Sequence, residues 1–224
     1  MNIAAILAGG VGKRMGGGKP KQFLPVNGRM VIEHSVDAFE KNSLIDRIVI
    51  VMHPDWAEEM QAIVRRNGWK KVTDIVPGGK ERYHSSMAAI ECCRSCCDDD
   101  RLIIHDAARP WVSQRIITEV CEALNTNKAI GVGIPVTDTI WMVSSGEGRT
   151  IQSIPDRALM YNAQTPQAFH LSTIREAYSL ALKDPALKAT DDCGIIVRYL
   201  PGTPIHIVPG ENTNIKITFP EDIR

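Results

Sequence analysis

"NIAAILAGGVGKRMGGGKPKQFLPVNG", residues 2–28, decides how the rest of the chain is read. Its opening, "NIAAILA", is a short apolar run that reads as a buried strand. From Leu7 onward the stretch holds seven glycines and four cations, Lys13, Arg14, Lys19 and Lys21, and no acid precedes Glu33. Yet the whole chain is balanced, with 26 Lys+Arg against 26 Asp+Glu in 224 residues. Surfaces normally mix signs. Glycines let backbone N–H groups approach a phosphate, and the helix that follows adds the positive end of its dipole. A polyanion such as a triphosphate explains the bias; a plain solvated basic loop is the alternative.

Two familiar phosphate loops do not fit. The ATPase type needs Gly-Lys followed by Ser or Thr, and here Gly12-Lys13 is followed by Arg14. The dinucleotide fingerprint needs a third glycine where Met15 stands, and the second strand, "IVIVMH", lacks the acid that would hold a ribose.

Working outward, apolar runs alternate with helical patterns. Strands are expected at "DRIVIVMH", "KVTDIV", "DRLIIHD" and "KAIGVGIPV". Helices are expected at "MVIEHSVDAFEKN", "DWAEEMQAIVRRNG", "SSMAAIECCRSCC" and "SQRIITEVCEALNTN", the last capped by Ser113. Such alternation predicts an α/β fold: a Rossmann-like, three-layer, mostly parallel sheet. The pattern breaks after residue 136. "DTIWMVSSGEGRTIQSIPDR" reads as two strands around a "SGEG" turn, a β-hairpin arm spanning about residues 137–160. Two strands alone are marginal in water, so the arm is expected to pack on something, such as a second subunit. A helix at "LSTIREAYSLALKD", a strand at "IHIVPG" and a last strand and turn at "NIKITFPEDI" complete one domain over 1–224.

Zero net charge argues against a general nucleic-acid or membrane-surface binder. No apolar run approaches ~20 residues, so no membrane span is expected. The first residues lack a signal-peptide pattern, which makes the expected location cytoplasmic. Four of the six cysteines cluster at Cys92, Cys93, Cys96 and Cys97. Cys93 and Cys96 form a C-x-x-C, but no second ligand pair is evident, and small apolar thiols suit a helix packed on a sheet.

"LAGGVGKRM" with "PKQ" resembles the L-x-G-G-x-G-x-R-M…P-K-Q signature of sugar-phosphate nucleotidyltransferases. "VPGGKERYHSS", "LIIHDAARPWV", "IPVTDTI", "DRALMYNAQTPQAF", "ATDDCG" and "NIKITFPED" follow in the order of the 2-C-methyl-D-erythritol 4-phosphate cytidylyltransferase family. The resemblance implies transfer of CMP from CTP to methylerythritol 4-phosphate with release of pyrophosphate, a step toward isoprenoid precursors. It implies catalytic cations at Arg14, Lys21 and Lys216. Nucleotide contacts would come from Ala8, Gly9, Gly10, Gly12, Gly78, Gly79, Arg82, Ser85 and Ala107. The alcohol phosphate would meet Asp106, Arg109, Thr139, Arg157, Thr165 and Thr190.

Asp106 closes the strand "LIIHD" and is a natural Mg²⁺ ligand beside a triphosphate; pairing with Arg109, or capping the next turn, is its alternative. His105 beside it reads as a core histidine. In the family the arm crosses to a partner, so the expected state is a homodimer in which Arg157 serves the neighbour's site. Two departures stand out. Thr213 precedes Asn214 where the family often has an acid, and the family continues into a helix beyond "PEDI". The nearest competing readings are a ribitol 5-phosphate cytidylyltransferase and a non-catalytic nucleotide-binding regulator on the same fold.

Overall fold

The computed structural model describes residues 1–10, 20–146 and 148–222. The middle of the glycine loop, with Gly12, Lys13, Arg14 and Lys19, lies outside them. In chain order the strands are β1 (Asn2–Ala8), β2 (Pro25–Val26), β3 (Arg29–Met30), β4 (Arg47–Met52), β5 (Val72–Pro77), β6 (Arg101–Asp106), β7 (Ala129–Pro135), β8 (Met142–Val143), β9 (Ile151–Ser153), β10 (Tyr161–His170) and β11 (His206–Pro209). The helices are α1 (Val31–Lys41), α2 (Ala57–Asn67), α3 (Arg82–Cys92), α4 (Gln114–Ala123), α5 (Leu171–Ala181) and α6 (Asp192–Tyr199).

Seven strands form one sheet in the order β11-β7-β10-β6-β1-β4-β5. Strand period 2 sends alternate side chains to opposite faces, and here both faces are covered. From β1, Ala4, Ile6 and Ala8 join one core with α1, α2 and α4, around Phe39, Met60 and Ile116. Ile3, Ala5 and Leu7 join the other with α3, α5 and α6, around Ala89, Phe169 and Ile195. This double burial is why the strands read as unbroken apolar runs. No helix among the described residues is long and apolar enough to cross a membrane.

β4 and β5 lie on one side of β1, while β6 returns on the other. The chain therefore reverses its winding between β1 and β6, whose register pairs Leu7 with Asp106. A crevice at such a switch point, beyond the carboxyl ends of the strands, is where open α/β sheets bind ligands.

Two expectations are corrected, and one strand is additional. Among its described residues "NIKITFPEDI" contains no strand; Pro220–Asp222 is a single 3-10 turn. Its backbone is held instead by scattered bonds: Ile217 N to Ala108 O at 2.8 Å, Arg109 Nη1 to Asn214 O at 2.7 Å and Lys21 Nζ to Ile217 O at 2.6 Å. The cysteine helix stops at Cys92, with Cys93 as its C-terminal cap. And "YNAQTPQAFH" is a strand, antiparallel to both β6 and β7 in the middle of the sheet. Pro166 has no N–H to give a ladder, and it falls where the pairing with β7 is interrupted between Gln164 and Ala168.

The hairpin arm is formed by β8 and β9. Trp141, Met142, Ile151, Ile154 and Leu159 are all more than half or about half exposed on or beside it. Burial pushes the Cys93 thiol up to about 12 and the Cys121 thiol up to about 11, so both behave as packing groups.

His105 on β6 is fully buried. Its Nε2 lies 3.0 Å from Arg109 O and its Nδ1 3.1 Å from Thr165 Oγ1. The Arg109 carbonyl can only accept, so Nε2 carries the proton and Nδ1 accepts from the Thr165 hydroxyl. Burial lowers the imidazole from 6.5 to about 4. Between those values the unfolded chain binds the proton and the folded protein does not, so stability is full above pH ~6.5 and falls as pH drops toward 4. The expected loss from this one group is about 3 kcal/mol. Urea unfolding at pH 7 and pH 4 measures it: the wild-type decrease should exceed that of His105→Gln by this amount, and equal decreases would refute the assignment.

Candidate active site

The switch point opens into a cavity of about 880 Å³. β1 delivers Ala8, Gly9 and Gly10 to one wall, β5 runs into Gly78 and Gly79, and β6 ends in Asp106 and Ala107. Glycine leaves the backbone bare where these strands converge. A Cβ on Gly9 would come within 3.0 Å of Ser85 Oγ, and one on Gly78 within 2.9 Å of the same atom. The Ser85 hydroxyl thus fills the space two side chains would otherwise claim, leaving bare backbone at the wall.

Gln22 fixes the loop's exit. Its Nε2 donates to Ala8 O at 2.5 Å and to Gly10 O at 3.1 Å. That satisfies two carbonyls just past the strand and holds neighbouring Lys21 at the cavity edge. The Lys21 ammonium donates to Ile217 O, which ties the loop to the segment carrying Lys216.

Asp106 is the charged centre of the site. Lys216 Nζ donates to its Oδ2 at 2.6 Å and Arg82 Nε to its Oδ1 at 3.2 Å. Its backbone N–H donates to Thr165 Oγ1 at 3.1 Å. Burial alone would push this carboxyl up; the Arg82 and Lys216 cations outweigh that and hold it well below the usual carboxylate range. Arg82 is also bound by Asp192, Nη1 to Oδ2 at 2.6 Å, and its guanidinium is held above the ordinary arginine value despite burial. The pairing with Arg109 considered from sequence is absent. Arg109 instead donates through Nη1 to Asn214 O and through Nη2 to Ala163 O, bracing the 214–217 segment against β10.

Of the residues expected at the site, eleven line this one cavity: Ala8, Gly9, Gly10, Lys21, Gly78, Gly79, Arg82, Ser85, Asp106, Ala107 and Lys216. Arg109 and Thr165 lie behind the wall, bonded to its backbone. Thr139, Arg157 and Thr190 do not line it and are exposed. Arg157 donates to Thr137 O at 2.8 Å, within the base of the arm. Gly12 and Arg14 lie outside the described residues. Sequence reasoning gave no role to Gln22 or Asp192. Gln22 stood in the "PKQ" signature, and Asp192 was the second acid of "TDD".

Lining cations outnumber acids, with Lys21, Lys80, Arg82 and Lys216 against Glu81 and Asp106. The surplus suits a polyphosphate. Among the described residues no group of three or more metal-ligating side chains comes together. Asp106 nonetheless offers the hard anionic oxygen that Mg²⁺ takes when phosphates and waters complete its shell. Lys216, with its side chain 40% exposed, is the partner that could move aside.

Comparison with known proteins agrees with this geometry. The family model for 2-C-methyl-D-erythritol 4-phosphate cytidylyltransferase (IspD) matches residues 2–224. A 2-C-methyl-D-erythritol 4-phosphate cytidylyltransferase of Thermobifida fusca is 45% identical over 222 residues, covering 98% of this chain and 89% of the relative. A bifunctional ribulose 5-phosphate reductase/CDP-ribitol pyrophosphorylase of Haemophilus influenzae is 41% identical, covering 99% of this chain and 46% of that protein. The crystal structure of 4-diphosphocytidyl-2C-methyl-D-erythritol synthase from Anaerococcus prevotii superposes with a TM-score of 0.84 at 28% identity, covering 99% of this chain and 92% of that one. A switch-point cavity walled by backbone and ringed by cations, in a chain matched from end to end, places this protein in the 2-C-methyl-D-erythritol 4-phosphate cytidylyltransferase family.

Proposed function

We propose that this chain joins the cytidylyl group of CTP to 2-C-methyl-D-erythritol 4-phosphate, releasing pyrophosphate. The observation that carries the reading is the convergence of Lys21, Arg82, Lys216 and Asp106 on the bare-backbone crevice. The acceptor's phosphate oxygen attacks the α-phosphorus; that O–P bond forms as the bond to the pyrophosphate oxygen breaks. A phosphate monoester is already ionised at neutral pH, so no general base is needed. What the reaction requires is in-line positioning and cations where negative charge gathers. Lys21 and Lys216, joined through the 216–217 segment, supply that charge at the α-phosphate; Arg14, outside the described residues, is given the same role by the family's motif. Gly9, Gly10, Gly78, Gly79 and Ser85 present the nucleotide with backbone groups, and Asp106 orients the acceptor. Mg²⁺, held by Asp106 and the phosphates, would neutralise the leaving pyrophosphate.

Thr139, Arg157, Thr165 and Thr190, with Arg109, form the acceptor side. Arg157 is exposed on an arm whose apolar side chains are uncovered, so a homodimer in which each arm completes the partner's cavity accounts for both facts. All six cysteines are free, which suits the reducing cytoplasm. Ribitol 5-phosphate is the second reading for the acceptor, supported by the 41% identical relative named for CDP-ribitol.

Pyrophosphate release with CTP and each alcohol phosphate tests the reading. Turnover is expected with methylerythritol 4-phosphate; turnover only with ribitol 5-phosphate would favour the second reading, and CTP binding without either turnover would refute both. Lys21→Ala should lower kcat by ~10²–10³ while changing CTP affinity far less; equal losses, compared by calorimetry and kinetics, would contradict its role. The dimer has its own test. Inactive Lys21→Ala and Arg157→Ala proteins, mixed and allowed to exchange subunits, should recover roughly a quarter of wild-type activity, since half the dimers are mixed and each has one intact site. No recovery would mean that Arg157 serves its own subunit.

A further inference from the structure

We propose that Asp192 is a positioning residue for this reaction: through Arg82 it fixes where the Asp106 carboxylate stands in the nucleotide cavity. The inference rests on the functional reading above. Asp192, the first residue of α6, is fully buried and does not line the cavity. Each of its polar atoms is committed. Oδ2 accepts from Arg82 Nη1 at 2.6 Å, Oδ1 accepts from the Tyr178 hydroxyl at 2.7 Å, and its backbone N–H donates to Gln167 Oε1 at 2.9 Å. Gln167 belongs to β10, in register with Ile104 of β6, and its Nε2 donates to Asp191 Oδ2 at 2.8 Å. The carboxylate is thereby anchored from α5 and from the sheet.

The consequence falls on Arg82. An arginine at the wall of a polyphosphate cavity is drawn toward incoming phosphates, because its planar fork binds them through two donors. One end of this fork is held by an acid that cannot follow. Arg82 is left to meet Asp106 side-on, through Nε alone at 3.2 Å, while Lys216 takes the opposite oxygen. Remove the Asp192 charge and the guanidinium can turn end-on to Asp106 or swing onto the phosphates. Either motion displaces the Asp106 carboxylate. Apolar groups replacing the whole pair would fill such a volume about as well, but removing Asp192 alone leaves the buried Arg82 charge with Asp106 as its remaining partner, so stability is measured alongside kcat.

The test compares wild type, Asp192→Asn and Tyr178→Phe by thermal unfolding, CTP calorimetry and steady-state kinetics with methylerythritol 4-phosphate. Asn keeps the shape but not the charge: its oxygen still accepts from Arg82, while the Tyr178 hydroxyl turns to accept from its NH2; Phe removes a hydrogen bond but leaves the ion pair. Asp192→Asn should bind CTP within about threefold of wild type and lose about 10²-fold in kcat, the scale of a displaced reacting group. Tyr178→Phe should be less stable yet keep kcat within about threefold, because its effect runs through a neutral hydrogen bond. Wild-type kcat in Asp192→Asn, or kcat losses in both variants that track their stability, would overturn the inference. If Asp192→Asn does not fold, Asp192→Glu decides: a fall in kcat at unchanged CTP affinity supports the proposal, and unchanged kcat overturns it. A wild-type protein without turnover on either alcohol phosphate would overturn the functional reading, and this inference with it.

Discussion

A single carboxylate at the end of β6 holds the site together. Asp106 stands between Lys216 and Arg82, and those residues come from parts of the chain that share no local structure. Lys216 lies on a segment without secondary structure; Arg82 opens α3. Two cations brought to one anion would be unfavourable without the third charge, and a buried acid would be unfavourable without the cations. The strand order makes the meeting possible, because only at the reversal beside β1 do three elements end at one level.

Around that centre the sheet divides the labour. The parallel strands β1 and β5 run into bare backbone at Gly9 and Gly78. The antiparallel β10 presents side chains. Gln164 receives Asn214 Nδ2, Thr165 supports Asp106, and Gln167 anchors the start of α6. An antiparallel strand runs its residues past the carboxyl ends of its parallel neighbours rather than stopping there. It therefore supports the crevice from behind, through Gln164, Thr165 and Gln167.

Most of the sheet was legible because double burial writes strands as plain apolar runs. The middle of the glycine loop lies outside the described residues, but the β8–β9 hairpin was legible too, through a break in alternation. β10 was not: "YNAQTPQAFH" is polar at its start and carries a proline, and its strand character comes from two neighbours rather than from its own pattern. The opposite failure occurred at "NIKIT", whose alternation imitates a strand. Its backbone bonds to Arg109, Lys21 and Ala108, remote in sequence, and otherwise to close neighbours such as Glu211 and Asp222, with no strand beside it. At the site, the motifs pointed to eleven of the lining residues and to Arg109 and Thr165 behind them, but not to Gln22 or Asp192. Asp192 sits next to a helix cap and looks like a second solvated acid, and only the packing of α5 and α6 turns it inward.

The bonds that tie residues 214–217 into the cavity span unusual lengths of chain: 196 residues from Lys21 to Ile217, 110 from Asp106 to Lys216 and 105 from Arg109 to Asn214. During synthesis the strands on either side of the crevice can pair long before that segment exists. A nascent chain that has already built its nucleotide wall still lacks the cation that closes the charge triangle, so Asp106 and Arg82 wait as a pair. Lys216 thus joins the charge cluster last in chain order, after every strand that flanks the crevice.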